Sequence, residues 1–274
     1  MNPYKQRVVE LYNSRTAYDS ETGTTHPHKA RRLLEFVPLQ VGQTVLDVAT
    51  GTGLVAIAAA NIVGPEGQVN AIDLTPGMLA QASKKIAASN LQNIELIEAD
   101  AESFSLNDNQ FDAIFCCEAL VLFIDIAASL EKWHRALKPG GFVAFTCPAE
   151  TAYLAPVYRR ICTKFLGTSI PHVLDPLGTP ERCCDLLRQA GFGAIAIETE
   201  PSGRYRIPDD RSLRWKWIDL NFKGNPQFSA LLQNNFDQFQ AEYSAEMAAL
   251  ATDKGIWEDT TTFFVRACKF SVGM

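Results

Sequence analysis

The chain has 274 residues, 47% hydrophobic and 20% charged, the make-up of a globular protein with one large core or a core carrying an insertion. Its 25 basic and 31 acidic residues leave a net charge of −6, which argues against a surface built to hold a nucleic-acid backbone. The opening Met1-Asn2-Pro3-Tyr4-Lys5-Gln6-Arg7 lacks the apolar stretch of a secretion signal, and the run around Ala119 to Leu130 is broken by Asp125. No membrane span is therefore expected, and the chain reads as cytoplasmic.

Residues 44–48 are a short apolar run entering Ala49-Thr50-Gly51-Thr52-Gly53, the pattern of a buried strand followed by a tight turn. Ala-rich Leu54 to Val63 suits a helix that Gly64-Pro65 stops. A second strand, Val69 to Ile72, ends at Asp73; Thr75 then caps a helix with Pro76 at its first position and Met78, Leu79, Ala82 and Ile86 on one face. Asn93 to Ala99 and Phe111 to Cys116 read as the third and fourth strands. Leu130, Trp133 and Leu137 have helical spacing, Lys138-Pro139-Gly140-Gly141 ends that helix, and Phe142 to Cys147 is a fifth strand. Regular alternation of strand and helix predicts a parallel, doubly wound sheet.

Beyond residue 150 the pattern loosens. Thr179 to Ala190 reads as a capped helix, Ala194 to Thr199 as a sixth strand, and Thr260 to Phe270 as a final β-rich run. Between them lie Tyr205, Trp215, Trp217 and Phe222. A helical stripe follows at Phe228, Leu231, Leu232, Phe236, Phe239, Tyr243 and Met247. Seven cysteines show no C-x-x-C spacing; the adjacent pairs Cys116-Cys117 and Cys183-Cys184 point their side chains apart, so reduced thiols and no metal site are expected.

The turn after the first strand brings backbone N–H groups close to a ligand, which Gly51 and Gly53 permit for want of a Cβ. A dinucleotide fingerprint needs three glycines where this chain has Ala49, Gly51 and Leu54, which speaks against a pyrophosphate. Asp73, ending strand 2, is placed to accept ribose hydroxyls, and Asp100, past strand 3, to reach an adenine amino group. Asp47 stands beside the turn. Carboxylates suit a cationic adenosyl-amino-acid ligand and repel a phosphate. Each acid also has a plainer reading: Asp47 satisfying the loop's own N–H groups, Asp100 as a turn residue, Asp73 as a solvated loop acid.

Together these segments resemble the class I methyltransferases, in particular those of the ubiquinone/menaquinone-biosynthesis type. The resemblance rests on Val45-Leu46-Asp47-Val48-Ala49-Thr50-Gly51-Thr52-Gly53, Ile72-Asp73-Leu74-Thr75-Pro76-Gly77-Met78-Leu79 and Ala99-Asp100-Ala101-Glu102. It extends to Phe111-Asp112, Leu137-Lys138-Pro139-Gly140-Gly141 and Asp259-Thr260-Thr261-Thr262-Phe263-Phe264-Val265. It implies a Rossmann-like, doubly wound seven-stranded α/β sheet with an antiparallel last strand and an inserted helical lid. It also implies S-adenosyl-L-methionine as methyl donor and S-adenosyl-L-homocysteine as product. Donor contacts are then expected from Asp47, Ala49, Thr50, Gly51, Gly53, Asp73, Leu74, Met78, Asp100, Ala101 and Cys117. A single domain follows, with residues 1–40 as a helical cover, 41–148 as the donor-binding core, and 149–178 and 201–255 as acceptor-side insertions.

The acceptor is left open, as are the atom methylated and the need for a base. The aromatic residues of 201–255 point to a small hydrophobic or aromatic molecule under a lid, with Trp215 and Trp217 over the acceptor; their plainer reading is core packing. His28, Glu118 and His172 are the candidates for acceptor chemistry, His26 and His28 being placed in a loop before a helix at Lys29 to Phe36. His134, beside Trp133, reads as structural. The competing functions are an NAD-dependent oxidoreductase and a non-catalytic adenosyl-ligand binding module. A monomer and a homodimer both fit.

Overall fold

Near-continuous apolar runs build a sheet that is covered on both faces. The computed structural model describes residues 2–20, 25–206 and 220–270. In chain order its elements are α1 (Pro3–Asn13), α2 (His26–Glu35), β1 (Thr44–Val48), α3 (Leu54–Val63), β2 (Gln68–Asp73), α4 (Pro76–Ala88), β3 (Ile94–Glu98), β4 (Phe111–Cys116) and α5 (Ile126–Ala136). There follow β5 (Leu137–Pro148), α6 (Ala155–Leu166), α7 (Pro180–Gln189), β6 (Gly193–Glu200), β7 (Gly203–Arg206), α8 (Pro226–Leu250), β8 (Ile256–Asp259) and β9 (Thr262–Cys268).

Seven strands form one sheet in the order β3-β2-β1-β4-β5-β9-β6. β1 runs parallel to β2 and β4, and β9 lies antiparallel between β5 and β6. Successive side chains of a strand face opposite ways. Val45 accordingly joins a core under α2 and α3, while Leu46 and Val48 join the opposite core under α5 and α7. Trp133 of α5 is fully buried in the latter.

Order reverses between β1 and β4, so their carboxyl ends splay apart and open the crevice where such sheets bind ligands. A second, smaller core lies away from the sheet. There α6 and α8 bury Tyr158, Ile161, Phe228, Leu231, Phe239, Tyr243 and Met247 against each other, with the rings of Tyr158 and Tyr243 stacked at 5.4 Å. Among the described residues no helix is long and apolar enough to cross a membrane.

Several expectations are corrected. The helix read as starting at Lys29 starts at His26, with Pro27 in its first turn where no N–H is missed. Lys138-Pro139-Gly140-Gly141 does not end the preceding helix. That helix stops at Ala136, and the four residues belong to β5, across a register shift opposite Phe111 and Ala113. The stripe on α8 breaks at Asn235, where the backbone leaves helical angles, and Phe236 stands 38% exposed. A two-stranded ribbon of β7 and β8, which the sequence reading does not include, flanks α8. Buried Glu258 holds that ribbon through Arg204 at 2.8 Å and Arg206 at 2.6 Å.

Candidate active site

β1 delivers its chain into a turn in which Ala49, Gly51 and Gly53 all adopt left-handed angles (φ 54°, 56° and 80°). The conformation costs a non-glycine residue roughly 1–2 kcal/mol, so Ala49 needs compensation, and two aspartates provide it. Asp47 Oδ2 accepts from Thr50 Oγ1 at 2.6 Å and from the Ala56 N–H at 3.0 Å. Asp73 Oδ2 accepts from the Gly51 N–H at 2.7 Å, and its Oδ1 from the Thr75 N–H at 2.8 Å. Thr75 sits at the cap position of α4 without capping through its own hydroxyl.

Above the turn lies a cavity, open to solvent on one side, that encloses about 790 Å³ counted out through its mouth. Its floor includes Ala49, Gly51, Asp73, Leu74, Met78, Asp100, Ala101, Cys117 and Glu118. A Cβ built on Gly51 meets no atom within 4 Å, so this glycine keeps open the space a ligand would fill. Four carboxylates border the space (Asp73, Asp100, Glu102 and Glu118), with the Lys5 ammonium among them. Such a wall fits a ligand bearing ammonium and sulfonium groups and no phosphate.

The roof comes from residues that sequence reading had assigned only as a cover. Tyr4, Lys5, Val8 and Tyr12 of α1 line the cavity together with Tyr18. Lys5 bridges Asp100 at 2.5 Å and Glu102 at 2.8 Å, and the Tyr4 hydroxyl donates to the Leu122 carbonyl at 3.1 Å. A signal was present: positions 4, 8 and 12 repeat at the spacing of one helical face. What that face covers depends on where the helix docks.

Lys29 is a further residue that the sequence does not reveal. It is 3% exposed, and its Nζ lies 2.6 Å from Glu118 Oε2 and 3.5 Å from the Tyr153 hydroxyl. Glu118 Oε1 accepts from Thr146 Oγ1 at 3.0 Å. Glu118 and Tyr153 both hold left-handed backbone angles (φ 58° and 55°), a strain that concentrates at functional sites. Burial works to raise the Glu118 carboxyl, but the Lys29 ammonium, with His26 and Thr146, outweighs it and holds the group below its usual range.

The expected donor residues therefore divide. Ala49, Gly51, Asp73, Leu74, Met78, Asp100, Ala101 and Cys117 border the cavity; Asp47, Thr50 and Gly53 are not on its wall and brace the turn from behind. Of the candidates for acceptor chemistry, only Glu118 reaches the cavity. His28 pairs on the surface with Glu200 at 2.9 Å, its side chain 44% exposed. His172 is buried against Phe222, its Nδ1 accepting from the Leu174 N–H. Burial, with Arg159 adding, pushes His172 down to about 3, too weak a base for work near neutrality. Trp215 and Trp217 lie outside the described residues, and no described residue of 201–255 borders the cavity.

The brace has a pH signature. Burial raises Asp47 from an ordinary 3.8 to about 7, against the hydrogen bonds from Thr50 and Ala56. The folded state then keeps a proton that the unfolded chain releases, so this group's contribution to stability declines as pH rises from about 4 to about 7. Asp47→Asn removes the decline. We expect its melting temperature relative to wild type to improve between pH 5 and pH 8; a difference independent of pH contradicts the assignment.

Residues 45–141 match the model of a methyltransferase domain family. The chain is 29% identical over 192 residues to aklanonic acid methyltransferase DauC of Streptomyces sp. (strain C5), covering 68% of this chain and 87% of the relative. It is 32% identical over 197 residues to demethylmenaquinone methyltransferase of Staphylococcus epidermidis, covering 71% of this chain and 75% of the relative. Phosphoethanolamine N-methyltransferase 2 of Haemonchus contortus, solved with S-adenosyl-L-methionine, superposes with a TM-score of 0.57 at 20% identity, over 95% of this chain and 57% of that one. At that identity the likeness is one of fold.

Proposed function

The chain belongs to the class I S-adenosylmethionine-dependent methyltransferases, and we propose that the cavity over Gly51 holds the donor while a small hydrophobic or aromatic acceptor enters beside Glu118. The observation that carries the reading is the row of groups along one edge of the sheet. Asp100 follows β3, Asp73 ends β2, the Gly51 turn follows β1, and Cys117 and Glu118 follow β4. In this reading Asp100 and Ala101 take the adenine end, Asp73 and Leu74 the ribose, and Ala49, Gly51 and Cys117 the amino-acid end, with Met78 packing beneath. Asp47, Thr50 and Gly53 act by holding the turn.

When bound, the donor supplies an already activated methyl on a sulfonium. The protein's work is then to align, to exclude water and to settle any proton on the acceptor. Tyr4, Val8, Tyr12 and Tyr18 close the space from above, which supports residues 1–40 as the cover of a single unit built on 41–148; the Tyr153 hydroxyl beside the Lys29–Glu118 pair supports 149–178 on the acceptor side, and 201–255 is assigned there only by its aromatic content. The named substrates of the relatives, aklanonic acid and demethylmenaquinone, support a small-molecule acceptor, and the net charge of −6 supports no nucleic-acid partner. Calorimetry tests the reading: S-adenosylmethionine and S-adenosylhomocysteine are expected to bind and NAD not to. Tighter binding of NAD overturns it.

A further inference from the structure

The Lys29–Glu118 pair is costly, its carboxylate borders the cavity while its ammonium lies behind, and the donor site as described does not need it. Taking two charges out of water is repaid only by good geometry, and removing one partner strands the other. Here α2, the end of β4 and the segment around Tyr153 converge on one ammonium. Two of the three side chains come from left-handed, non-glycine backbone. Glu118 nevertheless borders the cavity, in the electrostatic reach of Tyr12 and Tyr18 on its roof.

Position along the sheet edge says what the carboxylate meets. Neighbouring strands lie about 4.8 Å apart, and the order β3-β2-β1-β4 sets Asp100, Asp73, Gly51 and Glu118 in one row. A donor with its adenine at the β3 end and its ribose on Asp73 brings its sulfonium past the glycine turn to the tip of β4. We propose that Glu118 faces the sulfonium of the donor and that Lys29 sets how much of the carboxylate's charge the sulfonium feels. The pair thereby distinguishes the donor, with its sulfonium, from the product, whose sulfur carries no charge. The inference rests on the donor assignment made above.

The division of labour has a physical reason. Methyl transfer removes the sulfonium charge, so a facing carboxylate favours donor over product and helps the product leave. An unpaired carboxylate would also stabilise the cation before reaction and raise the barrier. Lys29, 2.6 Å behind it, damps that penalty.

The test measures dissociation constants of S-adenosylmethionine and S-adenosylhomocysteine by calorimetry, with thermal melts to confirm folding. In Glu118→Gln the ammonium is left facing the sulfonium: S-adenosylmethionine should weaken about tenfold and S-adenosylhomocysteine less than about threefold. In Lys29→Met the preference should move the opposite way, toward S-adenosylmethionine. The double variant, uncharged at both positions, should fall between Glu118→Gln and wild type in its preference for S-adenosylmethionine, and it carries the test if a single variant does not fold, a wild-type preference in it overturning the proposal. Equal losses for both ligands in Glu118→Gln, no change in either, or shifts of the same sign in the two single variants overturn the proposal. A wild-type protein that binds neither ligand overturns the donor assignment itself, and this inference with it.

Discussion

Gly51→Val is expected to lose at least about a hundredfold in affinity for S-adenosylmethionine while the sheet stays folded. The backbone at Gly51 sits at φ 56°, where a β-branched residue is strained by roughly 1–2 kcal/mol. That strain lowers the melting temperature of a domain this size by only a few degrees. The new Cβ has no atom beyond its chain neighbours within 4 Å, and the side chain grows into the cavity that Gly51 lines. Gly53→Val is the control. A Cβ there lies 3.2 Å from Ala82 Cβ, so it presses on α4 and should cost stability first. Wild-type affinity in folded Gly51→Val would show that the turn does not cradle the donor.

Asp73→Ala is expected to lose both binding and stability. Two charge-assisted hydrogen bonds to ribose hydroxyls, each worth about 1.5–3 kcal/mol, amount to more than a hundredfold in affinity. A residue at a strand end invites the expectation that the fold is indifferent to its loss, but Asp73 also receives the N–H groups of Gly51 and Thr75 at 2.7 and 2.8 Å. The Thr75 N–H is buried, and a buried N–H left without an acceptor costs about 1–3 kcal/mol, so urea denaturation should register the change even without ligand. Asp73→Asn keeps one oxygen and should recover part of the stability but little of the affinity. A folded Asp73→Ala protein with unchanged affinity would remove Asp73 from the donor site.

Where local chemistry decides, the fold could be read from the chain. β1, α3 and β4 match their expected spans because apolar runs end there at glycine, proline or polar residues. At Lys138-Pro139-Gly140-Gly141 a helix stop and a strand start use the same residues, and only pairing with β4 and β9 separates them. The β7–β8 ribbon escaped notice because its strands are held by Glu258, far along the chain from Arg204 and Arg206.

In the site, Gly51, Asp73 and Asp100 could be found because they follow strands in a parallel sheet. Lys29 could not, since its burial on Glu118 is a tertiary event. The choice of histidine turned on one helix boundary. With α2 starting at His26, residues 26 and 28 point about 200° apart, so His26 stacks on Tyr18 at 4.3 Å and His28 turns out to Glu200.

The place of β9 has a consequence for biosynthesis. β6 joins the sheet only through β9, which also covers the free edge of β5. Residues 193–200 leave the ribosome well before 262–268, and at 5–20 residues per second the interval is some seconds. Throughout it, β5 and β6 present unpaired backbone, the kind of edge that recruits other chains. The interval in which these two edges invite aggregation therefore closes only when residues 262–268 emerge and pair with them. A message truncated upstream of residue 262 would yield a chain whose glycine turn is intact and whose sheet is still open at two edges.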